Sequence, residues 1–300
     1  MAMNTNPTIA LPNKNASLTK WLYLMLLSLI WGSSFILIKK GLTGFGYFEA
    51  ATIRLMSAGL AFLPFGLSNF RKIPRNQYGF VVLTASLGMF IPAFLFCLAQ
   101  VNVQSSVAAM LNGLTPVFTF VFSIFIFRIT YKINQILGLL LGLICAVMLA
   151  IERSSSAITF NWHAGLIILA TLCYGYNINL IKQRLSHIPA FVLSTVTVST
   201  AGLLAFFLAF LPNLGSYHPS QIEWMPLLAL MTLGVFGTAI AQLFQYKLIK
   251  ETSALFASST TYIIPVVAVC WGLLDGEQFH LIHALSIVGI LAAVVLIRKG

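Results

Sequence analysis

Charge is what this sequence has least of. Of its 300 residues 8% are charged, and Asp and Glu together number 6. A water-soluble domain carries roughly 25% charged residues, so a surface covered only by water is excluded. The chain is 59% hydrophobic, with a mean hydropathy of +0.94, and lipid must solvate most of it. A G-x-x-x-x-G-K-[ST] phosphate loop is missing, which excludes an ATP motor of that type. The four cysteines, Cys97, Cys145, Cys173 and Cys270, fall inside apolar runs without metal-ligand spacing or a disulfide pattern. The five histidines lie near span ends or in loops, and none pairs convincingly, although His280 and His283 have i, i+3 spacing. No bound metal or cofactor is expected. Clustered Asp–His or Ser–His pairs at membrane depth, which an intramembrane enzyme would need, are lacking too, so the expectation is that the protein is not an enzyme. The net charge of +11 would suggest a nucleic-acid partner in a soluble protein. Here the basic residues sit in short gaps between apolar runs, where membrane topology accounts for them.

What is present is a series of apolar runs near the ~20 residues a bilayer core requires. Ten qualify or come close: Trp21–Ile38, Tyr47–Gly66, Tyr78–Phe96, Val107–Phe127, Ile136–Ile151, Ala164–Ile181, Phe191–Leu211, Met225–Phe244, Leu255–Leu274 and Leu281–Ile297. The fifth and tenth are the shortest. The first twenty residues read as a polar cytoplasmic tail rich in Asn, Thr and Pro. The run from Trp21 reads as an uncleaved first span. Alternate connections on one side collect 13 of the 17 Lys and Arg residues. That side includes both termini, which the positive-inside rule makes cytoplasmic.

The chain also repeats itself. Trp31-Gly-Ser-Ser-Phe-Ile-Leu-Ile-Lys-Lys40 aligns with Tyr174-Gly-Tyr-Asn-Ile-Asn-Leu-Ile-Lys-Gln183 in the second half. The match continues at the same offset, without a gap, to Ala58-Gly-Leu60 and Ala201-Gly-Leu203. Leu87-Gly88 matches Leu233-Gly234, and Pro116-Val117 matches Pro265-Val266. Two copies with an odd number of spans each enter the membrane from opposite sides. The expected fold is therefore an all-α membrane protein of ten transmembrane helices, as two inverted five-helix repeats over 21–152 and 163–298.

The segment Trp31–Lys39 followed by Arg54, and Phe256-Ala-Ser-Ser-Thr-Thr-Tyr-Ile-Ile-Pro265 followed by Leu274-Asp-Gly-Glu277, resemble the two repeat signatures of the drug/metabolite transporter superfamily, EamA type. The resemblance covers residues 21–298. Two positions depart from it. A proline common before the second span is Tyr47, and the Gly-Glu that usually closes the fourth is Phe127-Arg128. The resemblance implies ten helices, cytoplasmic termini, an inner-membrane location and a central cavity between the halves. It also implies a transporter and leaves the substrate open; the leading expectation is a secondary transporter exporting amino acids or related small metabolites by alternating access. The alternative is an uptake carrier or exchanger for a nucleotide-like or sulfonium metabolite. The partners implied are a small-molecule substrate and the lipid bilayer.

Candidate substrate-binding residues emerge from the cost of polarity in lipid. Arg54 is the one charge clearly inside a span, at a cost of about 2.5–3.5 kcal/mol at a helix centre. It would hold a carboxylate or phosphate, unless it ties together backbone carbonyls or snorkels outward. Lys39 and Lys182 end equivalent spans, with snorkelling set against a gate or substrate role. Trp31, Ser34, Tyr174, Tyr176 and Asn177 concentrate polarity and aromaticity in the first and sixth spans, where cavity lining competes with plain helix packing. Asn112, Tyr262 and Trp271 join them by the same logic, with Thr115, Gln242, Gln245 and Thr261 behind. Gly32 and Gly175 would permit close approach or local unwinding. Pro116 and Pro265 would break their helices at equivalent points. Gly138-x-x-x-Gly142 and Gly289-x-x-x-Ala293 read as close-packing faces, within the monomer or in a homodimer.

Overall fold

The computed structural model describes residues 14–152, 162–216, 223–274 and 280–299, and all the regular structure in them is helical. Lipid offers a backbone no hydrogen-bonding partner, so an apolar chain of this kind closes every N–H and C=O within its own helices. The helical runs are α1 (Lys14–Gly41), α2 (Tyr47–Phe70), α3 (Arg75–Gln100) and a broken α4 (Ser105–Asn112, then Thr115–Phe125). They continue as α5 (Ile133–Glu152), α6 (Trp162–Arg184), α7 (Ala190–Asn213) and α8 (Trp224–Glu251). A broken α9 (Ala254–Ser258, then Thr260–Leu274) and α10 (Leu281–Lys299) complete the chain. Among the described residues eight runs are long and apolar enough to cross a bilayer, and α5 and α9 hold the further apolar stretches Ile133–Leu149 and Ala254–Val267. The sequence pointed to the fifth and tenth runs as the short ones. They are α5, Ile133–Glu152, and α10, Leu281–Lys299, of 20 and 19 residues. α1 begins at Lys14, so the last residues of the expected polar tail are helical.

Local chemistry sets the ends. Glu49 accepts from the backbone N–H of Gly46 at 2.9 Å, capping α2. The Ser253 hydroxyl accepts from the Phe256 N–H at 3.1 Å and starts α9. After α4 the chain turns through Arg128, whose φ is 55°, a left-handed conformation that a non-glycine residue rarely adopts. Both prolines lie close to helix breaks, but not equivalently. Pro116 sits just after the break at Gly113–Leu114, whereas Pro265 lies inside a helix that broke earlier, at Ser259.

The helices pack reciprocally. α1 lies against α8 and α9, and α6 lies against α3 and α4. α2 pairs with α7, and α5 with α10. Small residues make the crossings possible. A Cβ on Gly32 would lie 2.8 Å from the side chain of Val267, and one on Gly175 would lie 2.8 Å from the backbone of Phe118. Gly32 and Gly175 hold the same place in the two repeats, and so do Val267 and Phe118, each just past its proline. Both glycines therefore serve close approach, and neither unwinds its helix. Gly138 packs against the Ala293 carbonyl and Gly289 against Cys145, so both small-residue motifs are used up between α5 and α10 of one chain. Two apolar clusters result. One gathers Leu24, Ile181, Tyr246 and Phe256, and the other gathers Phe35, Leu55, Phe96 and Leu230.

Candidate functional site

Between the two clusters lies a cavity of about 890 Å³, its mouth included. Its wall draws on both clusters: Phe35, Ile38, Leu55 and Phe96 from one, and Ile178, Ile181, Tyr246 and Ile249 from the other. The repeat-equivalent pairs Trp31/Tyr174, Ser34/Asn177, Phe35/Ile178 and Ile38/Ile181 all face it. Such a space, mostly apolar with a few convergent polar groups, has the character of a small-molecule site.

Arg54 supplies the one charged side chain among the described residues of the wall. It lies seven residues into α2, about 10 Å along the helix at 1.5 Å per residue. It is 9% exposed, and its Nε donates to Thr238 Oγ1 at 2.9 Å. Its terminal Nη groups find no protein acceptor among the described residues. No described acid is placed to neutralise it. Glu49 is committed to Gly46, and Glu223 and Glu251 are exposed. A guanidinium keeps its charge in any protein environment, so the Nη groups present a fixed positive fork to the cavity.

The partner of Arg54 is positioned by an irregularity in α8. Residues Leu233–Ile240 form a π-helical stretch, and π-turns shift the register of the side chains beyond them. Thr238 thereby meets Arg54, and the Gly237 carbonyl accepts from Trp31 Nε1 at 3.1 Å. Gly234, in the same stretch, admits the α2 backbone: a Cβ there would overlap the Arg54 carbonyl and the Ser57 hydroxyl. A second π-turn, Ser86–Phe90 in α3, carries Gly88 and Met89 into the wall. A Cβ on Gly88 would overlap the amide of Asn177. Gly88→Ala should therefore displace that amide, lowering transport roughly tenfold, equivalent to about 1.4 kcal/mol, with membrane accumulation near normal. Full transport by that variant would show that the Asn177 position is immaterial.

Six of the expected residues line this cavity: Trp31, Ser34, Arg54, Asn112, Tyr174 and Asn177. Trp31 reaches across to α8, and the Tyr174 ring stacks on Phe96 of α3, centroids 6.1 Å apart. Three expected residues stand elsewhere. Lys39 is exposed at the end of α1, where its long stem carries the charge to water. Tyr176 packs on Phe122 and Phe127 and is not in the cavity wall. Tyr262 is fully buried against Gly142, with its hydroxyl donating to the Leu139 carbonyl at 2.9 Å. It ties α9 to α5. The Trp271 side chain lies outside the described residues. Lys182 closes the far end of α6, donating to the Lys250 carbonyl at 3.0 Å. His280 and His283 pair locally, with the His280 N–H donating to His283 Nδ1 at 3.2 Å. Gln242, Gln245, Thr115 and Thr261 are in the wall. Thr238 and Gly88 went unforeseen, because π-turns leave no pattern in the sequence.

The family profile described as "EamA-like transporter family" matches the chain twice, over residues 19–151 and 161–299. The chain belongs to this family. It is a multi-pass membrane transporter with two copies of the family domain. It is 29% identical over 293 residues to YedA of Escherichia coli K12, named an uncharacterized inner membrane transporter, covering 92% of this chain and 90% of YedA. It is 24% identical over 249 residues to the uncharacterized transporter YdfC of Bacillus subtilis, covering 80% and 78%. A solved crystal structure shares the fold with a TM-score of 0.72 at 17% identity, over 95% of this chain and 96% of that one.

Proposed function

We propose that this EamA-family protein is a secondary transporter, not an enzyme. It exports a small metabolite that carries an anionic group, an amino acid or a relative of one, by alternating access to the central cavity. The observation that carries the reading is the Arg54 fork, open to the cavity and without a described anion to neutralise it. A substrate carboxylate or phosphate completes it with charge-assisted hydrogen bonds. Reciprocal packing supports the mechanism. Each half lends its first helix to the other, as two inverted five-helix repeats with ten crossings and cytoplasmic termini would. Rocking one half against the other then exchanges an open face for a closed one around a fixed site. With no described carboxylate on the cavity wall, transport runs by exchange or down a gradient rather than through a deep proton relay.

Two measurements test this. Ser34→Cys, in a background lacking the four native cysteines, should react with an impermeant thiol reagent from either side of a membrane vesicle, and substrate should change the rate. Reactivity confined to one side under every condition would contradict alternating access. Ser216→Cys should be labelled in intact cells. Labelling there only after permeabilisation would reverse the proposed orientation.

A further inference from the structure

Two amides in the cavity are unused once Arg54 has its role. Asn177 and Gln245 line the wall and are 4% and 5% exposed. Asn177 Oδ1 and Gln245 Oε1 are buried without a hydrogen-bond partner, and among the described residues neither side chain bonds to protein. A third amide, Gln242, makes only a long contact, from Nε2 to the Gly88 carbonyl at 3.4 Å. Buried polar groups are rarely left in this state in a folded protein. Here Asn177 and Gln242 meet the turn at Gly88, where a Cβ would displace the Asn177 amide, and Gln245 lines the same cavity. The space is therefore kept open by the sequence, and the amides wait for something that enters it.

The chemistry of the visitor is set by the groups the wall offers. A side-chain amide presents one donor group and one acceptor, and a half-turn exchanges them. An uncharged carboxamide, lactam or acylamino group matches that pair at both atoms. A free ammonium does not. It would find only neutral acceptors, since the described wall contains no carboxylate, and Arg54 repels it. Trp31, Phe96 and Tyr174 supply flat apolar surface beside the amides. Resting on the proposal that Arg54 holds an anion, we infer that Asn177 and Gln245 select an organic anion whose second polar group is an uncharged amide. The substrate class is thus acylated amino acids and like molecules, in preference to free zwitterionic amino acids.

The test is binding to the purified full chain in detergent, by calorimetry and thermal stabilisation. Four probes share one ring: N-acetyl-L-phenylalanine, L-phenylalanine, 3-phenylpropionate and N-acetyl-L-phenylalaninamide. N-acetyl-L-phenylalanine should bind at least about tenfold tighter than either L-phenylalanine or 3-phenylpropionate. The uncharged N-acetyl-L-phenylalaninamide should bind more weakly than N-acetyl-L-phenylalanine. In the Asn177→Leu and Gln245→Met variants the ratio of N-acetyl-L-phenylalanine to 3-phenylpropionate affinity should fall to about one. Equal or tighter binding of L-phenylalanine to the parent protein overturns the inference, and this ranking needs no variant to fold. So does an N-acetyl advantage that survives both substitutions, or no binding of any probe. Arg54→Gln separates the two readings. If it binds the carboxylates normally, the anion assignment fails. If the amide preference is lacking while anion binding stands, only the present inference fails.

Discussion

Arg54→Gln should leave a folded, membrane-inserted protein that no longer transports its anionic substrate. Glutamine keeps length and a donor for the Thr238 hydroxyl, which Arg54 now reaches at 2.9 Å, so the tie between α2 and α8 survives. What is lost is the fixed charge. A hydrogen bond to a charged group contributes about 1.5–3 kcal/mol, and the fork makes two, so affinity should fall by roughly 150-fold or more. Arg54→Lys should recover only part, because an ammonium is a point charge without the planar fork. Removing a charge also removes its burial cost in lipid, so the glutamine variant should melt at or above the parent temperature. Uptake into proteoliposomes, read beside the detergent melting curve, separates the two effects. Normal transport by Arg54→Gln would release Arg54 from substrate binding. Loss of the folded protein would make it structural.

Apolar runs of membrane length are a one-dimensional signal, and they located the helices, although α1 starts seven residues before Trp21 and α8 ends seven residues after Phe244. The repeat was legible because Gly32 and Gly175 need identical chemistry: each must let a neighbouring helix approach to contact distance. Arg54, Trp31, Ser34, Asn112, Tyr174 and Asn177 were legible because polarity at membrane depth is costly and must face protein or water. The same argument failed for Tyr262 and Tyr176. Polarity in a span shows that a group needs a partner but does not say which. Tyr262 found the Leu139 carbonyl and Tyr176 two phenyl rings, so neither faces the cavity. Thr238 and Gly88 escaped for another reason. A π-turn adds a residue to one turn of helix, and every wheel drawn at 3.6 residues per turn then misassigns the positions beyond it. Those turns also set the wall around Arg54 and Asn177, so the least legible backbone sits where the binding chemistry does.

A tight backbone constraint on folding lies at the crossing of α2 and α7, and Gly59→Leu should break that crossing. A Cβ on Gly59 would stand 2.6 Å from the Cα of Gly202, and one on Gly202 would stand 2.6 Å from the Cα of Gly59. The atoms in the way are backbone on both sides, so no rotamer change can make room. Between lipid-bathed helices little hydrophobic force is available, and association rests on close packing. Four extra carbons at the point of closest approach must separate the axes and forfeit contacts along both helices. Overpacking in tight interiors costs about 1–3 kcal/mol, and a rigid backbone contact should lie at the upper end or beyond. Gly59→Ala should therefore lower the melting temperature in detergent, and Gly59→Leu should prevent accumulation of a monodisperse protein. Gly202→Ala should match Gly59→Ala closely, since the two are equivalent positions of the repeats and meet each other. Combining the two alanines should not rescue, because each Cβ meets backbone that the other substitution leaves unchanged. Size-exclusion profiles and melting curves of the four variants provide the measurement. Parent-like behaviour of Gly59→Leu would mean that the crossing yields by rotating the helices, and that the packing of α2 on α7 is looser than these distances require.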